Sequence, residues 1–167
     1  MMETAWTNQL SVGNAVIDSE HQNLIVMIDR IESMIRAKNA SSLPQELEQF
    51  EHYLCVHFIN EEKLAQAVNF PFGKNKQEHQ FVLKEFQRMR NELLAKKGVW
   101  TDDAAKHYSN FLSEWMTSHI VREDMLMKPV LQTHDYKFWP GSKEGGANYA
   151  AGSIASLYLQ LFGTLTP

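Results

Sequence analysis

Residues 43–68 read LPQELEQFEHYLCVHFINEEKLAQAV, and their spacing decides the fold class. Leu47, Phe50, Leu54, His57, Glu61, Leu64 and Val68 recur at steps of three and four. That is the period of one face of an α-helix. Leu43-Pro44 opens the segment, and proline suits a first helical turn. Two members of this otherwise apolar stripe, His57 and Glu61, are ionisable. Burying such groups costs several kcal/mol unless they are paired or hold a metal.

Three further segments carry the same period. From Ser19 to Lys38, with Asp18 as the expected N-cap, the stripe is His21, Leu24, Ile28, Ile31 and Ile35. After the break Phe70-Pro71-Phe72-Gly73 it is Asn75, His79, Val82, Phe86, Met89 and Leu93, with Gly98 as a C-terminal stop. From Thr101, a good cap, it is Tyr108, Leu112, Trp115 and His119, with Asp124 further on. Strand alternation is nearly absent. The expectation is an all-α fold, an antiparallel up-down four-helix bundle over residues 1–140. An N-terminal arm, Trp6 to Ile17, precedes it, and Trp6, Leu10, Val12 and Ile17 need burial. After Pro140 the run Gly141-Ser142-Lys143-Glu144-Gly145-Gly146 reads as a linker. Residues 141–167 are expected to be this linker and a C-terminal tail. Leu157, Leu161 and Leu165 stand at helical spacing, which suits a short helix that is either a docking tail or a terminal extension without a role, with an amphipathic membrane or partner contact as the alternative.

The chain has 167 residues, a net charge of −4 and one cysteine, Cys55. These values suit one domain with a real core and exclude an internal disulfide. They give no reason to expect nucleic acid or an anionic membrane as partner. The N-terminus has no secretory leader pattern and no apolar run is long enough to span a bilayer. A soluble cytoplasmic protein without membrane contact is therefore expected.

Each helix carries a histidine on its apolar face: His21, His57, His79 and His119. One buried histidine is ordinarily a satisfied core residue, but four, joined by Glu61, ask for a common explanation. His57 and Glu61 are four apart and point from one face. The four histidines lie early, late, early and late in their helices. An up-down bundle requires that order if all five side chains are to share one layer. Asp124 lies five residues beyond His119, turned round the helix. It reads equally as a solvent-facing aspartate or as a carboxylate at the edge of the site. His52, His107 and His134 fall off the stripes and read as surface residues. Imidazole with carboxylate suits iron, manganese or zinc, and carboxylates able to bridge suit two ions. The Glu-x-x-His pattern of ferritin-like centres is missing from the sequence.

These stretches resemble the hemerythrin family, and within it the bacteriohemerythrins, over roughly Trp6 to Trp139. The likeness is carried by Trp6 with Ser11-Val12-Gly13, Ile17-Asp18-Ser19-Glu20-His21 and His57-Phe58-Ile59-Asn60-Glu61-Glu62. Glu78-His79-Gln80-Phe81 and His119-Ile120-Val121-Arg122-Glu123-Asp124 complete it. The resemblance implies a non-haem centre of two iron ions, oxo- or hydroxo-bridged, that binds dioxygen. It implies His21 and His57 on one iron, His79 and His119 on the other, and Glu61 and Asp124 bridging. It also implies an apolar oxygen pocket shaped by Phe58, Trp115, Met116 and Ile120, for which core packing is an equal reading.

The sequence departs from the family at Asn75, where the first histidine of a His-x-x-x-His pair is expected. Asparagine offers a weak carbonyl ligand or leaves the position to water. A lesser departure is Glu20, where glutamine is common. Dioxygen carriage, storage or sensing is the leading implied function. An oxidase or peroxidase using an electron donor protein, or metal storage without reversible oxygen binding, are the alternatives.

Overall fold

The structure is a computed structural model and describes residues 5–133 and 153–163. Among these, all regular structure is helical. The first long helix, α1, spans Ala15–Arg36. It begins four residues before the expected start, and its cap is Asn14, not Asp18. The Asn14 side chain accepts from the Val16 and Ile17 amides, each at 3.1 Å, which satisfies two of the free N–H groups of the first turn. Asp18 does different work. It accepts from the Ser11 hydroxyl at 2.6 Å and the Val12 amide at 2.8 Å, and so clamps the arm to the helix. Within that arm Asn8–Leu10 forms one 3₁₀ turn. Val12 and Ile17 are fully buried, and Trp6 and Leu10 pack partly buried on the core.

The second helix, α2, spans Leu43–Ala67 with proline in its first turn. The third, α3, spans Gly73–Lys96. It stops where Lys97 and Gly98 both adopt positive φ. A Cβ at Gly98 would lie 3.2 Å from Ala40 Cβ and from the Lys38 carbonyl oxygen, so glycine is required there by space as well as by φ. The fourth, α4, spans Asp102–Arg122, and the Thr101 hydroxyl caps it by accepting from the Ala104 amide at 3.1 Å. A 3₁₀ turn, Asp124–Met127, follows, then α5, Lys128–Thr133, and α6, Ile154–Phe162. The proposed linker 141–146, His134 and Leu165 lie outside the described residues.

Helix α1 packs against α2 and α4, and α2 also packs against α3 and α6. Phe50, Phe58 and Phe86 are the largest side chains of the shared core that are fully buried, and the rings of Phe50 and Phe86 lie 5.1 Å apart. Helix α6 adds Leu157, Tyr158 and Leu161 to that core. Its Tyr158 hydroxyl donates at 3.0 Å to Glu51, a buried carboxylate that also accepts from Gln87 Nε2 at 2.9 Å and from Arg90. Trp100 Nε1 donates to the Ile35 carbonyl at 2.9 Å and ties the approach to α4 onto the end of α1. A smaller cluster of Val12, Ile17, Leu64, Ala65, Val68, Met127 and Leu131 closes the opposite end. No helix among the described residues is long and apolar enough to cross a membrane.

Candidate metal centre

The end closed by the smaller cluster holds the ionisable residues. His21 is early in α1, His57 and Glu61 are late in α2, His79 is early in α3, and His119 is late in α4. All five are buried. Asp124 joins them because α4 does not continue to it. In an unbroken helix a five-residue step would turn its side chain about 140° away from His119. Instead the helix ends at Arg122, the Glu123 amide closes the last turn onto the His119 carbonyl at 2.9 Å, and the chain tightens into the 3₁₀ turn. That turn leaves Asp124 with no solvent exposure. The solvent-facing reading of Asp124 is therefore overturned.

Donor atoms of His21, His57, Glu61 and Asp124 lie within 4.8 Å of one another, and so do those of Glu61, His79 and His119. The two oxygens of Glu61 divide the histidines between them. Oε1 is 3.6 Å from His21 Nε2 and 3.3 Å from His57 Nε2. Oε2 is 3.2 Å from His79 Nε2 and 3.6 Å from His119 Nε2. Asp124 Oδ2 stands 3.1 Å from both His21 Nε2 and His119 Nε2. Adjacent donors on an octahedral ion with ~2.1 Å bonds are about 3.0 Å apart. The Nε2 atoms of all four histidines and both oxygens of Glu61 and Asp124 are buried without a hydrogen-bond partner. Buried polar atoms are ordinarily paired. Eight converging orphans fit cations placed among them.

Two of the imidazoles are held from behind. His57 Nδ1 donates to Glu20 Oε2 at 2.9 Å, and Glu20 Oε1 accepts from Asn60 Nδ2. His119 Nδ1 lies 3.3 Å from Glu78 Oε2. Such a carboxylate fixes the tautomer and leaves Nε2 free as a ligand. In the metal-free protein the same carboxylates set the protonation. Burial pulls the His57 pKa down, but the charge of Glu61 and the bond to Glu20 push it up to about 10. Burial likewise opposes His119, yet Asp124 and Glu61 raise it well above the usual imidazole range. For His79 burial wins over Glu61 and lowers the value to about 4. Burial and then Glu61 raise Asp124 to about 6.

The model of the hemerythrin HHE cation binding domain matches residues 12–131. The chain belongs to the hemerythrin family. A bacteriohemerythrin of Stenotrophomonas maltophilia (strain R551-3) is 23% identical over 142 residues, covering 84% of this chain and 90% of the relative. One of Pseudomonas aeruginosa (strain LESB58) is 24% identical over 125 residues, covering 74% and 78%. A hemerythrin-like protein of Naegleria gruberi is 25% identical over 126 residues, covering 75% and 92%. No solved structure matches the chain significantly.

Aromatic rings surround the centre of this hemerythrin-family chain. Phe58 stacks on His79 with ring centroids 3.6 Å apart and planes 6° from parallel. Trp115, half-buried, stacks on His119 at 5.3 Å. Met116 and Ile120 are fully buried members of the main core. Phe72 lies edge-on to His79 at 5.4 Å, a contact the sequence reading did not foresee. Nor did it foresee the supporting roles of Glu20, Asn60 and Glu78. Each of the two carboxylates stands just before a site histidine (Glu20-His21, Glu78-His79), but supports a histidine of another helix. Asn75 is 2% exposed, and its Nδ2 is buried without a partner. It lies one turn before His79 on the same face of α3.

Proposed function

We propose that this chain is a non-haem diiron protein that binds dioxygen, with its helices in an antiparallel up-down four-helix bundle. The observation that carries the reading is the division of Glu61. One oxygen faces His21 and His57, the other His79 and His119. That is the arrangement expected of a carboxylate bridging two ions, each held by two imidazoles. Asp124, equidistant from His21 and His119, is the second bridge. A hard oxygen and borderline nitrogen donor set suits iron, with manganese or zinc as competitors. When bound, the iron pair supplies the electrons and open coordination that dioxygen binding needs.

The chain's own residues do the rest. Glu20 and Glu78 orient His57 and His119 through Nδ1. Phe58 and Trp115 cover the faces of His79 and His119 and limit water, with Met116 and Ile120 completing the apolar wall. Asn75 substitutes an amide for an imidazole and leaves one position exchangeable. That substitution favours a second reading, an oxidase or peroxidase supplied by an electron donor protein. The test is anaerobic loading with ferrous iron, elemental analysis of the protein, then admission of oxygen. Two irons per chain with a visible band that appears with oxygen and fades on its removal are expected. Prompt irreversible oxidation would instead favour the enzyme, and no spectral response to oxygen would refute both.

A further inference from the structure

Helices α1 and α4 leave a groove between them that none of the six candidate metal ligands lines. It encloses about 520 Å³, with Glu32 and Arg36 of α1 on one side and Lys106, Ser109 and Ser113 of α4 on the other. Its inner wall is polar where a helix interface is ordinarily apolar. Glu32 is 6% exposed and Ser109 is 7% exposed. The Ser113 hydroxyl donates to Glu32 Oε1, which leaves Oε2 with no hydrogen bond among the described residues. Burial pushes the Glu32 pKa up, against the pull of Ser113 and Arg36. A buried carboxylate without a paired charge is costly. One turn from Ser113, on the same face of α4, the Ser109 hydroxyl is buried with no partner at all. The rim carries two exposed cations, Arg36 and Lys106, and neither forms an ion pair among the described residues. They stand toward the end where Lys38 pairs with Asp102 at 3.2 Å. Glu32, Ser113 and the exposed Glu114 stand toward the other end. The groove thus has an acceptor end with unused acceptors and a cationic end with unused cations.

We infer that the groove between α1 and α4 binds a short ω-amino acid, whose ammonium group donates to Glu32 and to the Ser109 hydroxyl and whose carboxylate is held by Arg36 and Lys106. An ammonium group has donors for both acceptors, and it supplies the charge that Glu32 lacks. Glu32 and Arg36 are four residues apart, about 6 Å along the helix. A ligand that meets both must separate its charges by a similar distance, and an α-amino acid, with its charged groups on one carbon, is too short. A simple amine is opposed by the two rim cations. A simple carboxylate is opposed by Glu32 and Glu114. The inference stands apart from the diiron reading.

The probes are 3-aminopropanoate, 4-aminobutanoate and 5-aminopentanoate, titrated by calorimetry into the full-length protein beside butylamine and butanoate. At least one ω-amino acid should bind at a single site per chain. Butylamine and butanoate, each with half of the recognised charge, should bind roughly tenfold or more weakly. Glu32→Gln keeps an oxygen for Ser113 but removes the charge, and should weaken the ω-amino acid by roughly tenfold or more. Ser109→Ala should weaken it by about three- to tenfold. Arg36→Gln combined with Lys106→Gln alters exposed residues only, and should weaken it by about two- to fivefold while reducing its advantage over butylamine. No uptake of any of the three ω-amino acids, butylamine bound as tightly as they are, or unchanged binding in Glu32→Gln overturns the inference. The comparison among ligands needs wild type alone, so it decides the matter if a variant fails to fold. Iron content does not enter the readout, so failure here leaves the diiron reading untouched.

Discussion

Glu20 is where the structure makes its most quantitative claim about metal affinity. Its two oxygens accept from His57 Nδ1 at 2.9 Å and from Asn60 Nδ2. Glu20→Ala removes both acceptors and leaves two buried donors. Each buried donor without a partner costs about 1–3 kcal/mol, so the metal-free fold should lose a few kcal/mol. Loss of the carboxylate behind a ligating histidine lowers metal affinity by roughly 10- to 100-fold. Glu78 is the internal comparison. It sits 3.3 Å from His119 Nδ1, and its side chain is 27% exposed against 11% for Glu20. Water can therefore stand in for Glu78, and Glu78→Ala should fall at or below the tenfold end of that range. Glu20→Gln should be milder than Glu20→Ala. The glutamine oxygen can still accept from His57, and Asn60, whose Oδ1 has no partner, can reverse its amide to accept from the glutamine nitrogen. Chelator competition gives the metal affinity of each variant, and urea melts of the metal-free protein give the stability change. Equal losses for Glu20→Ala and Glu78→Ala, or unchanged affinity in Glu20→Ala, would refute the reasoning.

Metal uptake at pH 7 should release about two protons, because His57, at about 10, and His119, well above the usual range, are protonated without metal. Calorimetry in buffers of different ionisation enthalpy measures that number, and a value near zero would contradict these protonation states. The sign follows for stability: with a folded pKa above the unfolded value of about 6.5, the His57 contribution is full below that pH and is lost as pH rises through 10. Metal removal should lower the melting temperature. Each site saturated a thousandfold above its Kd contributes about 4 kcal/mol, so a scanning-calorimetry trace indifferent to chelator would argue against metal in the centre. At the other end of the core, Arg90→Ala should cost about 1–3 kcal/mol, because it removes the charged partner of the buried Glu51 carboxylate but leaves its hydrogen bonds from Gln87 and Tyr158. Tyr158→Phe, which leaves Arg90 and Gln87 in place, should cost about 1–3 kcal/mol in the same denaturant titration.

Much of this was written in the helical period. Three- and four-residue spacing placed His21, His57, Glu61, His79 and His119 on inward faces, and the structure buries all five together. The capping residues of α4 and the proline of α2 were equally readable, since caps and first-turn prolines depend on neighbours in sequence. The start of α1 was not. Asp18 and Asn14 are both good caps, and the choice fell to Asn14 because the arm uses Asp18 for the Ser11 and Val12 contacts, which are tertiary. The supporting carboxylates were hidden for a related reason. Glu20 and Glu78 are each adjacent to one site histidine but serve another from a different helix. No local spacing encodes that pairing.

Asp124 shows how far periodicity reaches and where it ends. A side chain five residues past His119 belongs on another face only if the helix persists, and nothing in the spacing says that it stops. The stop is what brings Asp124 into the site. The 3₁₀ turn swings Asp124 back to within 3.1 Å of His21 and His119, from helices at opposite ends of the sequence. The cost of burying a second carboxylate beside Glu61 is visible in the raised Asp124 pKa of about 6. Without cations, two carboxylates and partly protonated imidazoles must share a space with no other partners. Glu61 and Asp124 repel each other in that space, and the protonated imidazoles of His57 and His119 offset the repulsion only in part. Cations between them would remove the conflict.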